Sequence, residues 1–93
     1  MVVGVLRIEL YLPHALSLKD KRSVLKSVKD RLHNQFNVTV AEVDTTDKWQ
    51  RACLGVAALG DDQGYVDGCL RQVVEWLRSH RFFEVIAVEQ EWR

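Results

Sequence analysis

The hydrophobic residues of this chain repeat with two different periods, and the order of these periods limits the possible folds more than any other feature. In residues 2–12 apolar side chains alternate with Arg7, Glu9 and Tyr11, which is typical of a strand with one buried face. After Ser17 the apolar residues are spaced three and four apart, which indicates an amphipathic helix. The residues predicted to face the core from this helix are Val24, Leu25, Val28, Leu32 and Phe36.

The two periods alternate again in the rest of the chain. Further strands are predicted at residues 38–43, 52–59 and 82–88, the last fading into a charged tail. A second helix is predicted after Gly60-Asp61-Asp62, with Val66, Cys69, Leu70, Val73 and Leu77 turned inward. The order β-α-β-β-α-β has one simple solution, a four-stranded antiparallel sheet with both helices on one face. We therefore expect an α+β, ferredoxin-like sandwich, formed by residues 1–93 as one domain.

Composition argues against several classes of protein. The chain is 47% hydrophobic and 28% charged, as in ordinary globular proteins. Its longest apolar runs fall far short of the roughly 20 residues that cross a bilayer. The first residues alternate like a strand and do not resemble a signal peptide, so a cytoplasmic protein without a membrane partner is expected. Cys53 and Cys69 lie among apolar residues and are predicted to be free thiols, with a disulfide as the alternative.

The first helix carries a concentration of positive charge. Residues 17–36 contain six basic and two acidic residues, a net charge of +4, whereas the whole chain has a net charge of zero. At 100° per residue, Lys19, Arg22, Lys26 and Lys29 fall within a sector of about 80°, together with His33. Such a row suits the phosphates of a polyanion, but it also suits the solvated side of an ordinary helix.

Two neighbouring features also have two interpretations each. Ser17 and Asp20 have capping-box spacing at the helix start, where free backbone amides would otherwise attract a phosphate; the cap is favoured. Trp49 lies between Lys48 and Arg51, where an exposed ring would stack on a nucleobase. The favoured alternative is that Trp49 closes one end of the core or packs in a subunit contact.

The sequence contains no catalytic motif. It has neither a glycine-rich phosphate loop nor a nucleophile motif, and its three histidines are scattered. Glu42 and Asp44 are predicted to share a strand face, with Asp47 nearby; these acids are expected to be solvated or paired with Lys48 and Arg51 rather than to bind a metal ion. Neither an enzyme, a cofactor nor a small-molecule substrate is therefore expected.

Three segments together resemble a known family. They are MVVGVLRIELYLP, SLKDKRSVLKSVKDRLHNQFNVTVAEVD and DKWQRACLGVA, and in this order they resemble the YlxP family of small bacterial proteins with a domain of unknown function. The resemblance implies a ferredoxin-like fold. Genes of the family often lie among genes for translation initiation and ribosome maturation, which implies an RNA- or ribosome-associated role. Ser17, Lys19, Lys21 and Arg22 match the family pattern, and no catalytic residue is implied.

Two functional hypotheses follow. The first is a non-enzymatic module that binds RNA or the small ribosomal subunit through Lys19, Arg22, Lys26, Lys29, Lys48 and Arg51. The second is a homo-oligomeric scaffold that acts through the sheet face opposite the helices, with Arg7, Glu9 and Tyr11 in the contact.

Overall fold

A computed structural model describes residues 1–93 and confirms the ferredoxin-like α+β arrangement. The elements are β1 (Val2–Tyr11), α1 (Leu18–Gln35), β2 (Thr39–Glu42), β3 (Arg51–Gly60), α2 (Gln63–Arg78) and β4 (Glu84–Trp92). The four strands form one sheet in the order β2-β3-β1-β4, and every neighbouring pair is antiparallel. Neither helix is long and apolar enough to cross a membrane.

Strand β1 occupies the centre of the sheet and supplies much of the core. Its even-numbered residues Leu6, Ile8 and Leu10 are buried toward the helices, as the alternation predicts. They belong to a hydrophobic cluster of 18 buried residues that also includes Leu25, Val28 and Leu32 of α1. From α2 the cluster takes Val66, Leu70, Val73 and Leu77. Because both helices pack on this face, the other side of the sheet, the open face, remains uncovered.

Gly4 shows how closely α2 approaches the sheet. A β-carbon at this position would lie 2.7 Å from Leu70 Cδ1 and 2.9 Å from Val66 Cγ1. Carbon atoms in contact lie about 3.5–4.0 Å apart. The close packing of α2 therefore depends on the missing side chain at Gly4.

The prediction for the last strand was wrong in both bounds. β4 begins at Glu84 and continues to Trp92, through residues that were expected to form a charged tail. Backbone pairing with β1 extends to Gly4–Trp92, and the N–H of Arg93 donates to Val3 O at 2.8 Å. Glutamates are tolerated here because β4 is an edge strand, where charge also discourages pairing with other chains.

Two residues of the predicted helix core lie at its margin. Leu25, Val28 and Leu32 are buried, whereas Val24 and Phe36 are half-buried and pack against the cluster from outside. The fully buried side of α1 is therefore narrower than predicted.

Candidate nucleic-acid interface

Four of the six cations of α1 lie on a flank of the helix that is turned away from the core. We call Lys19, Arg22, Lys26 and Lys29 the basic row; the first three are exposed and Lys29 is half-buried. Within the basic row only Lys26 has an ion pair, 3.5 Å from Asp30 on the same helix. No carboxylate of another strand or of α2 lies within 4.0 Å of these four cations. Their positive charge is thus cancelled only in part by the protein itself.

His33 shares the angular sector of the basic row, but one of its ring nitrogens is bonded within the protein. Its Nε2 accepts a hydrogen bond from the backbone N–H of Val40, at 3.2 Å. A nitrogen that accepts in this way is used within the protein and is not available to donate to a phosphate. Since Val40 lies on edge strand β2, His33 also covers a strand N–H that would otherwise be free to pair with another chain.

The N-terminus of α1 is closed by its own side chains. Ser17 Oγ accepts from the N–H of Asp20 at 3.1 Å, and Asp20 Oδ2 accepts from the N–H of Leu16 at 3.0 Å. The cap predicted from the Ser17–Asp20 spacing is confirmed, although Asp20 reaches Leu16 rather than the N–H of Ser17. Because Asp20 brings a negative charge to this end of the helix, a phosphate is not favoured there.

Lys21 is the residue whose environment the sequence interpretation missed. It is the one buried charged residue of the protein, with 3% of its surface exposed. Its Nζ donates to the carbonyl oxygens of Thr46 at 2.8 Å and Lys48 at 3.1 Å, and lies 3.7 Å from Glu42 Oε2. Lys21 therefore joins the first turns of α1 to the loop between β2 and β3.

The helix spacing contains a clue to this burial. Lys21 precedes Leu25 by four residues and Val28 by seven, so it lies on the same face of α1 as the core residues. A lysine at an apolar position either extends its amine to solvent or needs acceptors in the protein. Lys21 finds acceptors in loop carbonyls, which no local pattern in the sequence reveals.

The loop held by Lys21 displays an exposed tryptophan. Trp49 is 50% exposed and lies outside the hydrophobic cluster, so it does not close the core, and of the favoured interpretation the subunit contact stays a prediction. It lines an open cavity of 420 Å³ at the end of the sheet. The other lining residues are Tyr11, Asp47, Lys48, Gln50 and Arg51.

An ionic network occupies the centre of the open face. Arg7 donates from Nε and Nη2 to Asp44 Oδ2, at 2.9 and 2.6 Å, and from Nη1 to Glu9 Oε1 at 3.2 Å. The hydrogen bonds with Asp44 and then Glu9 raise the pKa of the Arg7 guanidinium above its usual value. Arg7 and Glu9 thus already have partners within the chain.

The two carboxylates predicted to share a strand face point to different partners. Glu42 ends β2 and lies beside Lys21, whereas Asp44 binds Arg7 on the open face. Alternation breaks between them because Asp44 adopts a positive φ of 48°, a conformation that aspartate tolerates better than most residues. No three His, Cys, Asp or Glu side chains are grouped closely enough to hold a metal ion.

Both cysteines are free thiols, but Cys53 lies in less apolar surroundings than predicted. It is buried on the open face, and it lines a cavity of 410 Å³ with Arg7, Glu9 and Asp44. Burial raises the pKa of the Cys53 thiol, and the positive charge of Arg7 offsets part of that effect.

The six residues predicted to bind RNA divide into two groups. The basic row lies along α1, whereas Lys48 and Arg51 line the cavities at the end of the open face. The two groups are connected, because Lys21 on α1 holds the carbonyl of Lys48. Tyr11, predicted for the oligomer contact, lies beside Trp49 and Arg51 in the second group.

Residues 3–90 match the family described as "Protein of unknown function (DUF503)". The chain is also 33% identical over 91 residues to the uncharacterized protein YlxP of Bacillus subtilis strain 168. That match covers 98% of this chain and 99% of the Bacillus protein, which supports the resemblance drawn from the three segments.

Proposed function

This chain belongs to the DUF503 family of proteins of unknown function, and we propose that it is a non-enzymatic, cytoplasmic module that binds RNA through α1. The basic row contacts successive phosphates, and the small ribosomal subunit is the RNA-containing target to test first. Since phosphate contacts carry no sequence information, α1 supplies affinity and orientation rather than choice of sequence.

The observation that supports this proposal is the exposure of the basic row with a single ion pair. From Lys19 to Lys29 the row rises about 15 Å along the helix axis, long enough to follow several phosphates. Lysine and arginine that neutralise phosphates release counterions from the nucleic acid, and this release drives binding. A solvated helix face whose charges were cancelled by neighbouring acids would gain much less, and here Asp30 is the single acid paired with the row.

The test is RNA binding by fluorescence anisotropy across a series of salt concentrations. Four phosphate contacts predict a slope of log K against log salt of about −3, from roughly −0.7 per contact on single strands. The double variant Lys26→Glu and Lys29→Glu is expected to abolish binding, because it replaces attraction by repulsion at two adjacent sites. Small ribosomal subunits are tested in parallel by co-sedimentation.

A matched control separates the effect of the site from that of net charge. Arg78→Glu with Arg81→Glu changes the charge by the same amount on exposed residues at the end of α2, and is expected to retain most of the RNA affinity. Equal losses in both double variants would mean that only overall charge matters. Absence of binding to RNA and to ribosomal subunits at low salt would refute the proposal.

A second candidate function is self-association through the open face. The support for it is an apolar patch on the open face, at the end of the sheet that is far from Trp49. Val3 pairs with Leu59 and Val5 with Ala57, their side chains lie on the uncovered side, and Leu59 is 55% exposed. The charges of Arg7 and Glu9 are already paired within the chain, so covering them separates no existing ion pair.

Sedimentation velocity tests this second candidate. Leu59→Glu is expected to shift an oligomer to monomer, because it places a charge in the apolar patch. Leu16→Glu is the matched control, since Leu16 is 72% exposed in the loop before α1 and away from the sheet face. A native protein that remains monomeric over the whole concentration range would exclude self-association as its function.

A further inference from the structure

Trp49 is held in an exposed position by backbone contacts on both sides. On one side, Lys21 Nζ donates to the carbonyl oxygens of Thr46 and Lys48. On the other, Gln50 accepts at its backbone oxygen from the N–H of Leu12, at 2.9 Å, and its side-chain Nε2 donates to Pro13 O at 3.2 Å. The turn is therefore fixed to α1 and to the end of β1, yet its largest side chain is half exposed.

The surroundings of Trp49 suit a nucleotide. Tyr11 lines the same 420 Å³ cavity and adds a second aromatic ring, while Lys48 and Arg51 place positive charge on either side of the tryptophan in sequence. Asp47 supplies a carboxylate that can accept from a base amino group. Aromatic rings beside cations are what proteins use to hold unstacked bases of single strands.

We propose that the turn at Trp49 and Gln50, the Trp49 turn, is a base-stacking site for an unpaired nucleotide. This nucleotide belongs to the same RNA whose phosphates contact the basic row. This inference rests on the proposed function and adds a preference for single-stranded over double-helical RNA. The bases of a duplex are stacked on each other and are not accessible to Trp49, whereas a single strand can place one base there. The bond from Lys21 to the Lys48 carbonyl keeps this site next to the first turns of α1.

The experiment compares two RNAs of equal length, an unstructured single strand and a blunt-ended duplex, by fluorescence anisotropy. Trp49→Ala is expected to weaken single-strand binding by at least about fivefold, the effect of losing one stacked base, and to leave duplex binding unchanged. Trp49→Phe keeps an aromatic face and is expected to restore most of the single-strand affinity. Tyr65→Ala is the matched control, because Tyr65 is an equally exposed aromatic residue, 59% exposed, at the start of α2.

The possible outcomes separate this inference from the proposed function. Loss of single-strand affinity in Trp49→Ala, with rescue by phenylalanine, would support the base-stacking site. If Trp49→Ala binds the single strand as tightly as the native protein while the Lys26 and Lys29 charge reversal abolishes binding, α1 binds RNA and the stacking site is refuted. An equal loss for duplex and single strand would also refute it, since stacking requires an unpaired base. If neither RNA binds the native protein, the base-stacking site is refuted, and if small ribosomal subunits do not bind at low salt either, the proposed function fails with it.

Discussion

Replacement of Lys21 by methionine is the most direct test of how α1 and the β2–β3 loop are joined. Methionine keeps an unbranched apolar side chain of similar length in the buried space and removes only the ammonium group. The carbonyl oxygens of Thr46 and Lys48 then lose a donor, and the carboxylate of Glu42 loses its positive partner. Glu42 Oε2 is buried and makes no hydrogen bond, so the nearby ammonium is its main compensation.

The size of the effect follows from these contacts. Removing one member of a fully buried ion pair costs about 3–5 kcal/mol, and leaving a buried acceptor without a donor costs about 1–3 kcal/mol. The side chain of Glu42 is 24% exposed, so water offsets part of the loss. We therefore expect a decrease of about 3 kcal/mol in the free energy of unfolding, a large part of the 5–15 kcal/mol typical of a domain.

Urea unfolding followed by far-ultraviolet circular dichroism measures this change. The control is Lys19→Met, two residues away on the exposed side of α1, which is expected to change the free energy of unfolding by less than about 0.5 kcal/mol. Adding Glu42→Gln to Lys21→Met removes the uncompensated charge and is expected to recover at least about 1 kcal/mol. Equal stability of the Lys21→Met and Lys19→Met proteins would refute the assignment of Lys21 as a buried connection between α1 and the loop.

Three further predictions concern packing, thiol chemistry and capping. Gly4→Ala is expected to lower the free energy of unfolding by about 1–3 kcal/mol, because the new methyl group overpacks the contact with α2. Gly68→Ala is expected to raise it by about 1 kcal/mol, because the new methyl group has open space around it. Urea unfolding measures both variants, and changes of the same sign would contradict the packing argument. The raised pKa of Cys53 leaves little thiolate at neutral pH, so a disulfide reagent should label Cys53 more slowly in the native protein than in the unfolded protein. The labelling of the native protein should accelerate as pH rises toward that pKa. Equal labelling rates of the native and unfolded proteins at pH 7 would contradict the burial of Cys53. Ser17→Ala removes the acceptor for the N–H of Asp20 and should cost about 1 kcal/mol, which Ser17→Asp should largely recover in the same unfolding assay.

The fold was predictable because burial of apolar side chains stabilises it most, and the spacing of those side chains can be read within short segments of the sequence. Alternation in β1 and the three-and-four spacing in α1 identify the faces that must be buried, and burial of those faces requires the sandwich. The extent of β4 was not predictable in this way, because its second half is polar and is stabilised by pairing with β1, which is distant in sequence. The alternation of apolar and polar residues identifies a strand that has a buried face. It does not identify the part of an edge strand, such as the second half of β4, that has no buried face.

The candidate site, too, could be predicted only where its residues lie close together in the sequence. The basic row could be identified from helical spacing, since all its members lie on one helix. Lys21 and Trp49 could not be assigned correctly, because their environments are formed by contacts between α1, the end of β1 and the β2–β3 loop. A lysine in an apolar position and a tryptophan between two cations were both visible in the sequence, but only the tertiary contacts show that the lysine is buried and the tryptophan exposed.

The zero net charge of the chain does not argue against a polyanionic partner, because the charges are separated in space. Residues 17–36 carry +4 and the remaining residues carry −4, and β4 alone contributes Glu84, Glu89 and Glu91. If α1 binds a polyanion as proposed, this distribution attracts the ligand to the α1 side and repels it from the β4 edge, so it favours one orientation of approach. In that orientation the basic row would meet the ligand first, and the loop that carries Trp49 is joined to the first turns of α1 by the bond from Lys21 to the Lys48 carbonyl. Burial of Lys21 therefore removes one cation from the surface proposed to bind phosphates, and its hydrogen bonds fix the loop that carries Trp49, the residue proposed to distinguish a single strand from a duplex.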